Sequence, residues 1–276
     1  MKSNDKGLEI KKIQKLELGI LQYLDELCEK CGLVYFLAYG SLIGAVRHNG
    51  FIPWDDDIDI MMPREDYNKL VDFVNVNPHP FYKLVSIDTN DKFTAPLPKL
   101  IDDRTRLVQK YDFFERVPLG VYVDIFILDG VGNTLNESIL NYNESFKLYK
   151  KWRISDLKLF PPNHSKLYGI LRKIKNIPYS FMGVKYYLTK LDEFNSRKSF
   201  YDCKYISTMN TGTLPAERNI WLQKTFMPPK KLKFENLELM VPRDFDKVLK
   251  TEYGDYMKLP SADKQISHHN YDLIWK

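Results

Sequence analysis

Val34-Tyr35-Phe36-Leu37-Ala38-Tyr39-Gly40-Ser41, followed after one loop by Asp55-Asp56-Asp57-Ile58-Asp59-Ile60, decides how this chain folds. The apolar run Val34 to Tyr39, β-branched and aromatic, predicts a buried strand. Gly40-Ser41 then turns into a short helix, Leu42 to Arg47, and Asn49-Gly50 with Pro53 marks a loop. Asp57 to Met61 reads as a second strand. Residues i and i+2 of a strand share a face, so Asp57 and Asp59 project together. Two carboxylates held that close repel unless a cation lies between them. An oxygen-rich site of this kind suits Mg²⁺, or Mn²⁺ in its place. The bland alternative is a solvated acidic loop, and Asp55 and Asp56 fit it. Asp59 does not, because it stands among Ile58, Ile60, Met61 and Met62, where an unpaired charge is costly.

Upstream, Ile13, Leu16, Ile20, Leu24, Leu27 and Cys31 keep helical spacing over residues 8–31, and Gly32 provides the cap. Downstream, Pro63 opens a helix whose apolar face is Tyr67, Leu70, Val71 and Val74. Tyr82 to Ile87 is a strand. Leu97–Ile101 and Thr105–Gln109 read as a pair of strands around an Asp102-Asp103 turn. Val121 to Ile127 is strongly strand-like. Helices dominate from 135 to 196, and the tail ends on a helix near Asp244 to Tyr253. The layout is an α/β (α+β) chain: a mixed sheet core with flanking helices over 1–134, and a mostly helical region over 135–276.

Asp124 is a lone carboxylate within Val121-Tyr122-Val123-Asp124-Ile125-Phe126-Ile127. It needs a metal or a counter-ion, unless it faces solvent from an edge strand or pairs with a nearby lysine. Beside the first two strands it completes a three-carboxylate site with Asp57 and Asp59, able to bind metal and to serve as base for an attacking hydroxyl. Gly40 lets backbone approach a ligand closely. The N–H groups opening the helix at Leu42 and Ile43 then form a phosphate cradle.

At 276 residues, with 44% hydrophobic and 28% charged content, the chain can bury a sizeable core. Disordered, collagenous and disulfide-scaffold classes are excluded. The longest apolar-leaning stretch, Val34 to Val46, falls short of the ~20 residues needed to span a bilayer. The N-terminus is no signal peptide, so a cytoplasmic location is expected. Cys28 and Cys31 continue an apolar helical stripe, and core packing outweighs a zinc site for them because Cys203 has no paired partner. The net charge of +5 is unevenly spread: residues 147–185 carry ten Lys/Arg against Asp156 alone. This basic segment reads as a solvated helical face or as peripheral contact with an anionic leaflet.

Tyr39-Gly40-Ser41-Leu42-Ile43-Gly44-Ala45-Val46-Arg47-His48, with Gly50-Phe51-Ile52-Pro53-Trp54-Asp55-Asp56-Asp57-Ile58-Asp59-Ile60, resembles the signature of the LicD/fukutin-related phosphotransferases. The likeness extends to Lys99-Leu100-Ile101-Asp102 with Thr105, to Val123-Asp124-Ile125-Phe126 with Asp129, and to Tyr253-Gly254-Asp255-Tyr256-Met257. It touches the chain from about residue 14 to 269; His268-His269 match the family tail. Tyr39 is a departure, since many relatives have a second small residue there. The resemblance implies a nucleotidyltransferase-type fold with Asp57, Asp59 and Asp124 as metal and catalytic positions. It also implies a substrate site drawing on Gly40, Ser41, Arg47, His48, Trp54 and Lys99, with Arg47 and Lys99 as phosphate clamps.

The implied activity is metal-dependent transfer of a phospho-alcohol group, phosphocholine from a CDP-choline-like donor, to a hydroxyl of a cell-surface glycan or teichoic acid precursor. The expected acceptor is anionic and lipid-linked. Transfer of ribitol phosphate or a nucleotide on the same fold is the enzymatic alternative. The non-enzyme alternative is a nucleic-acid-binding module using the basic segment. Against it, no reader motif accompanies the cations, and the acidic focus repels phosphates without metal.

Overall fold

The computed structural model describes residues 3–109, 117–155, 177–179, 181–209, 214–267 and 271–276. Helix α1 (Ser3–Cys31) lays Ile13, Ile20, Leu21, Leu24, Leu27 and Cys28 into the core. Its end is closed as the sequence predicts. Gly32 is left-handed (φ 63°), its N–H reaches the Glu29 carbonyl, and the Leu33 N–H reaches Cys28.

The central sheet has the order β1–β2–β6–β4–β3, built from β1 (Phe36–Leu37), β2 (Ile58–Pro63), β3 (Tyr82–Val85), β4 (Lys99–Asp102) and β6 (Val121–Gly132). β2 and β6 are parallel and the other pairs antiparallel. Parallel neighbours need a long crossover. Here it contains helix α3 (Arg64–Val76), β3, β4 and β5 (Thr105–Gln109). On β6, Val121, Val123, Ile125 and Ile127 are buried while Tyr122, Asp124 and Phe126 face a more open side. That alternation turns Asp124 away from the core.

Three local expectations are corrected. The strand expected over Val34–Tyr39 is confined to Phe36–Leu37, because helix α2 (Tyr39–His48) starts three residues earlier than Leu42. Pro63 ends β2 and caps α3 rather than lying inside its first turn. β5 does not pair with β4; it pairs with β11 (Tyr271–Trp275). The physical cause lies at the Asp102 turn. The Arg104 backbone N–H and guanidinium both bond the Asp102 carboxylate, and Thr105 Oγ1 donates to the Asp102 carbonyl (2.8 Å). This peels the chain out of the sheet.

The C-terminal half adds α4 (Leu135–Ser155), α5 (Val184–Asn195), a one-turn α6 (Ala216–Asn219) and α7 (Phe245–Tyr253), together with short strands. β7 (Tyr205–Ser207) pairs with the far end of β6, and β8 (Trp221–Leu222) pairs with β7. The hairpin β9 (Lys230–Phe234)–β10 (Leu237–Val241) buries Phe234, Leu239 and Val241 in the main core. The Glu235 N–H at its tip donates to the Asn49 carbonyl (2.8 Å), steadying the loop after α2. A buried ion network ties the halves together. Arg64 forks onto Asp129 of β6 and also meets Asp192 of α5 at 2.8 Å. Of the basic segment, residues 156–176 and 180 lie outside the described residues, as do His268 and His269.

Candidate active site

Strand register builds the site. Asp59 of β2 stands opposite Asp124 of β6, and Asp124 stands opposite Lys99 of β4. Three adjacent strands thereby set two carboxylates and an ammonium side by side on one face of the sheet. Lys99 Nζ forms a salt bridge with Asp124, each side chain being 14% exposed, and lies 3.7 Å from the centroid of the Tyr122 ring. The sequence reading had Asp124 meeting either a metal or a lysine. In the structure the lysine is Lys99, so the expected phosphate clamp is engaged with the expected base.

The first turn of α2 closes over this row. Ala38 donates its N–H to the Asp59 carbonyl (3.0 Å), and the Asp59 N–H donates to Ser41 Oγ (2.9 Å). The Leu42 N–H is taken by the Ala38 carbonyl (3.0 Å), so the expected cradle at Leu42 and Ile43 is displaced towards the chain start. The N–H groups without an intrahelical acceptor are those of Tyr39, Gly40 and Ser41. Tyr39 enters the helix at φ 46°, a left-handed conformation that a bulky residue adopts only where its surroundings hold it there. A Cβ on Gly40 would lie 2.7 Å from Asp55 Oδ2, so glycine admits the Asp55 carboxylate over the helix end.

The acidic loop is only partly solvated: Asp55 and Asp57 are half-buried, and Asp56 departs from the bland reading. Asp56 is buried and accepts from Ser267 Oγ (2.7 Å), and the Asp55 carbonyl accepts from Gln14 Nε2 (2.7 Å). One helical turn beyond Gln14, Glu17 is buried, and its Oε2 has no hydrogen-bond partner among the described residues. Burial pushes the Glu17 carboxyl well up, and Asp57, Asp56, Asp55 and Asp59 push it further. Asp59 is raised for the same reasons: burial first, then Asp57, Asp124 and Asp55, with Lys99 opposing. The negative charge exceeds what Lys99 offsets, which fits a hard divalent cation. No three His, Cys, Asp or Glu side chains among the described residues already stand close enough together to hold one.

Arg47, His48 and Trp54 form a separate group at the other end of α2. Arg47 Nε donates to His48 Nε2 (3.0 Å), and Nη1 donates to the Tyr256 carbonyl (2.7 Å). The His48 and Trp54 rings meet edge to face with centroids 6.4 Å apart. Arg47 lies six residue steps along the helix from Ser41, about 9 Å along the axis at the α-helical rise. This cluster therefore flanks the carboxylate row instead of joining it.

Comparison with known proteins shows the family of the chain. Residues 32–167 match the model of the LicD/FKTN/FKRP nucleotidyltransferase domain. The chain is 32% identical to the lipopolysaccharide cholinephosphotransferase LicD of Haemophilus influenzae, over 96% of this chain and 97% of that one. The chain belongs to the LicD family. A shorter stretch, 16% of the chain, is 44% identical to the ribitol 5-phosphate transferase FKRP of human and mouse, covering 9% of each. Against this LicD-family background, the sequence reading missed Glu17 and Glu252. Both had the same available signal: an acidic residue on an otherwise apolar helical stripe, Ile13–Glu17–Ile20–Leu24 and Phe245–Val248–Leu249–Glu252.

Proposed function

We propose that the protein transfers a phospho-alcohol group, phosphocholine from CDP-choline in the first instance, to a hydroxyl of a cell-surface glycan precursor. The observation that carries this reading is the row Asp59–Asp124–Lys99, set by strand register beside the first turn of α2. Similarity over nearly the whole length to a lipopolysaccharide cholinephosphotransferase supports the choice of group.

In this reading the acceptor oxygen attacks the phosphorus that carries choline and forms a new P–O bond. The bond from that phosphorus to the bridging oxygen breaks, and CMP leaves with the bonding pair. Asp124 takes the hydroxyl proton. Lys99 holds the Asp124 carboxylate in place and is positioned to exchange that partner for a donor phosphate oxygen. Gly40 and Ser41 present backbone N–H groups at a helix N-terminus, which favours phosphate. Asp57, Asp59 and Asp124 would hold Mg²⁺ or Mn²⁺, which supplies neutralisation of the diphosphate charge.

The test is a product assay with a panel of CDP-alcohols and nucleotide sugars, a glycan acceptor and Mg²⁺. Choline phosphate transfer with equimolar CMP, stopped by EDTA and restored by Mg²⁺ or Mn²⁺, is expected. Product from nucleotide sugars alone would overturn the reading. Ribitol phosphate transfer is the second reading, favoured by the segment shared with the ribitol 5-phosphate transferase; the same panel separates the two.

No helix among the described residues is long and apolar enough to cross a membrane. An anionic lipid-linked acceptor would instead be met through the basic segment 147–185 as a peripheral contact. Co-sedimentation with anionic but not zwitterionic liposomes, weakening as salt rises, is the expected result; equal binding to both would return the segment to ordinary surface.

A further inference from the structure

Glu252, in the last turn of α7, is 1% exposed, and both of its carboxylate oxygens are buried without a hydrogen-bond partner among the described residues. No other described carboxylate is left so completely unsatisfied. The nearby cation, Arg218, donates to the main-chain carbonyl of Glu252 and not to its carboxylate. Such a group is costly unless something else meets it.

Two phenols adjoin it. Tyr39 has its ring edge-on to Phe126 (4.8 Å between centroids) and its hydroxyl 3.1 Å from Thr208 Oγ1. Tyr253, the next residue along α7, is 44% exposed. Each phenol lies within electrostatic reach of Glu252 and also of Asp59. Tyr39 opens α2, whose first turn is bonded to Asp59 through Ser41, so one of the two phenols belongs to the element that closes over the phosphate-handling row.

We propose that Glu252, with the rings of Tyr39 and Tyr253, forms the subsite for the cationic head of the donor, a quaternary ammonium. The inference rests on the transfer reading above. A quaternary ammonium has no N–H to donate, so its recognition depends on negative charge and aromatic faces and needs no hydrogen-bonded partners. A buried carboxyl with no donor aimed at it, with two tyrosines nearby, supplies both once the incoming cation has displaced the proton that burial keeps on it. Low local dielectric strengthens the attraction. Tyr39 is then part of the head-group wall.

The experiment measures calorimetric binding of CDP-choline and of CDP-glycerol, which shares the diphosphate but has a neutral head. It uses the full chain, Glu252→Gln and Tyr253→Leu, alongside the product assay. Wild type is expected to prefer CDP-choline. Both variants should weaken CDP-choline by about tenfold or more and leave CDP-glycerol unchanged, as expected for a desolvated cation contact. Tyr253 is half exposed, so its replacement keeps the test valid should Glu252→Gln disturb folding. Equal weakening of both donors, or none of either, would overturn the subsite. If the selectivity behaves as expected yet no phosphocholine product forms, the transfer reading fails and the subsite stands. If product forms and selectivity ignores both substitutions, the reverse holds.

Discussion

At the scale of single residues, the site is a set of charges whose environments oppose them. Asp59→Asn should abolish turnover. It should also raise the metal-free melting temperature, because burial and three neighbouring aspartates already disfavour the Asp59 charge; full turnover with Mg²⁺ would remove Asp59 from the site. Lys99→Ala should lower kcat/KM by roughly tenfold to 150-fold, the range of a charge-assisted contact worth ~1.5–3 kcal/mol. An unchanged kcat/KM would reduce Lys99 to a structural partner of Asp124. Glu252 has a pH signature. Its carboxyl is pushed by burial from 4.5 to about 8, so the folded state holds a proton that the unfolded state has already lost. Its contribution to stability therefore falls as pH rises between these two values. Chemical denaturation across that window should show a flatter pH dependence for Glu252→Gln than for wild type.

At the scale of elements, α2 joins sequence to chemistry. Its first turn is held to β2 by Ser41 and Ala38, and its last turn is held to the C-terminal loop by Arg47. Gly40→Ala separates packing from function. Alanine is a better helix former than glycine by about 0.8–1 kcal/mol, so thermal stability should not fall. The new Cβ would lie 2.7 Å from Asp55 Oδ2 and push that carboxylate off the helix end. Lower kcat/KM with an unchanged or higher melting temperature is the expected pair of results; wild-type kcat/KM would show that the close approach is irrelevant to the reaction.

For the molecule as a whole, the central tie is the buried network in which Arg64 joins Asp129 and Asp192. It links α3, the long strand β6 and α5, so it fixes the C-terminal helices against the central sheet. Arg64→Met should destabilise by ~3–5 kcal/mol, because Asp129 would be left as an uncompensated buried charge. Denaturant titration measures this directly. A loss below about 1 kcal/mol, the scale of an exposed ion pair, would show the network to be dispensable.

The sequence by itself determined the local units of this protein. Apolar spacing gave α1, α3 and the strands that carry Asp59 and Asp124, and the alternation around Asp57 and Asp59 marked their carboxylates, because each of these signals is read within a few residues. It also carried the warning of Glu17 and Glu252, acids placed on apolar stripes, which spacing alone could not assign to any neighbour. Only the tertiary structure decided who meets whom. The pairing of Asp124 with Lys99, the transfer of β5 from β4 to β11, and the β9–β10 hairpin that braces the loop after α2 depend on contacts distant in sequence. The start of α2 at Tyr39 is likewise a tertiary outcome. The propensities of Tyr39 and Gly40 argue against a helix there, and hydrogen bonds from Ala38 and Asp59 across to the neighbouring strand and helix outweigh them.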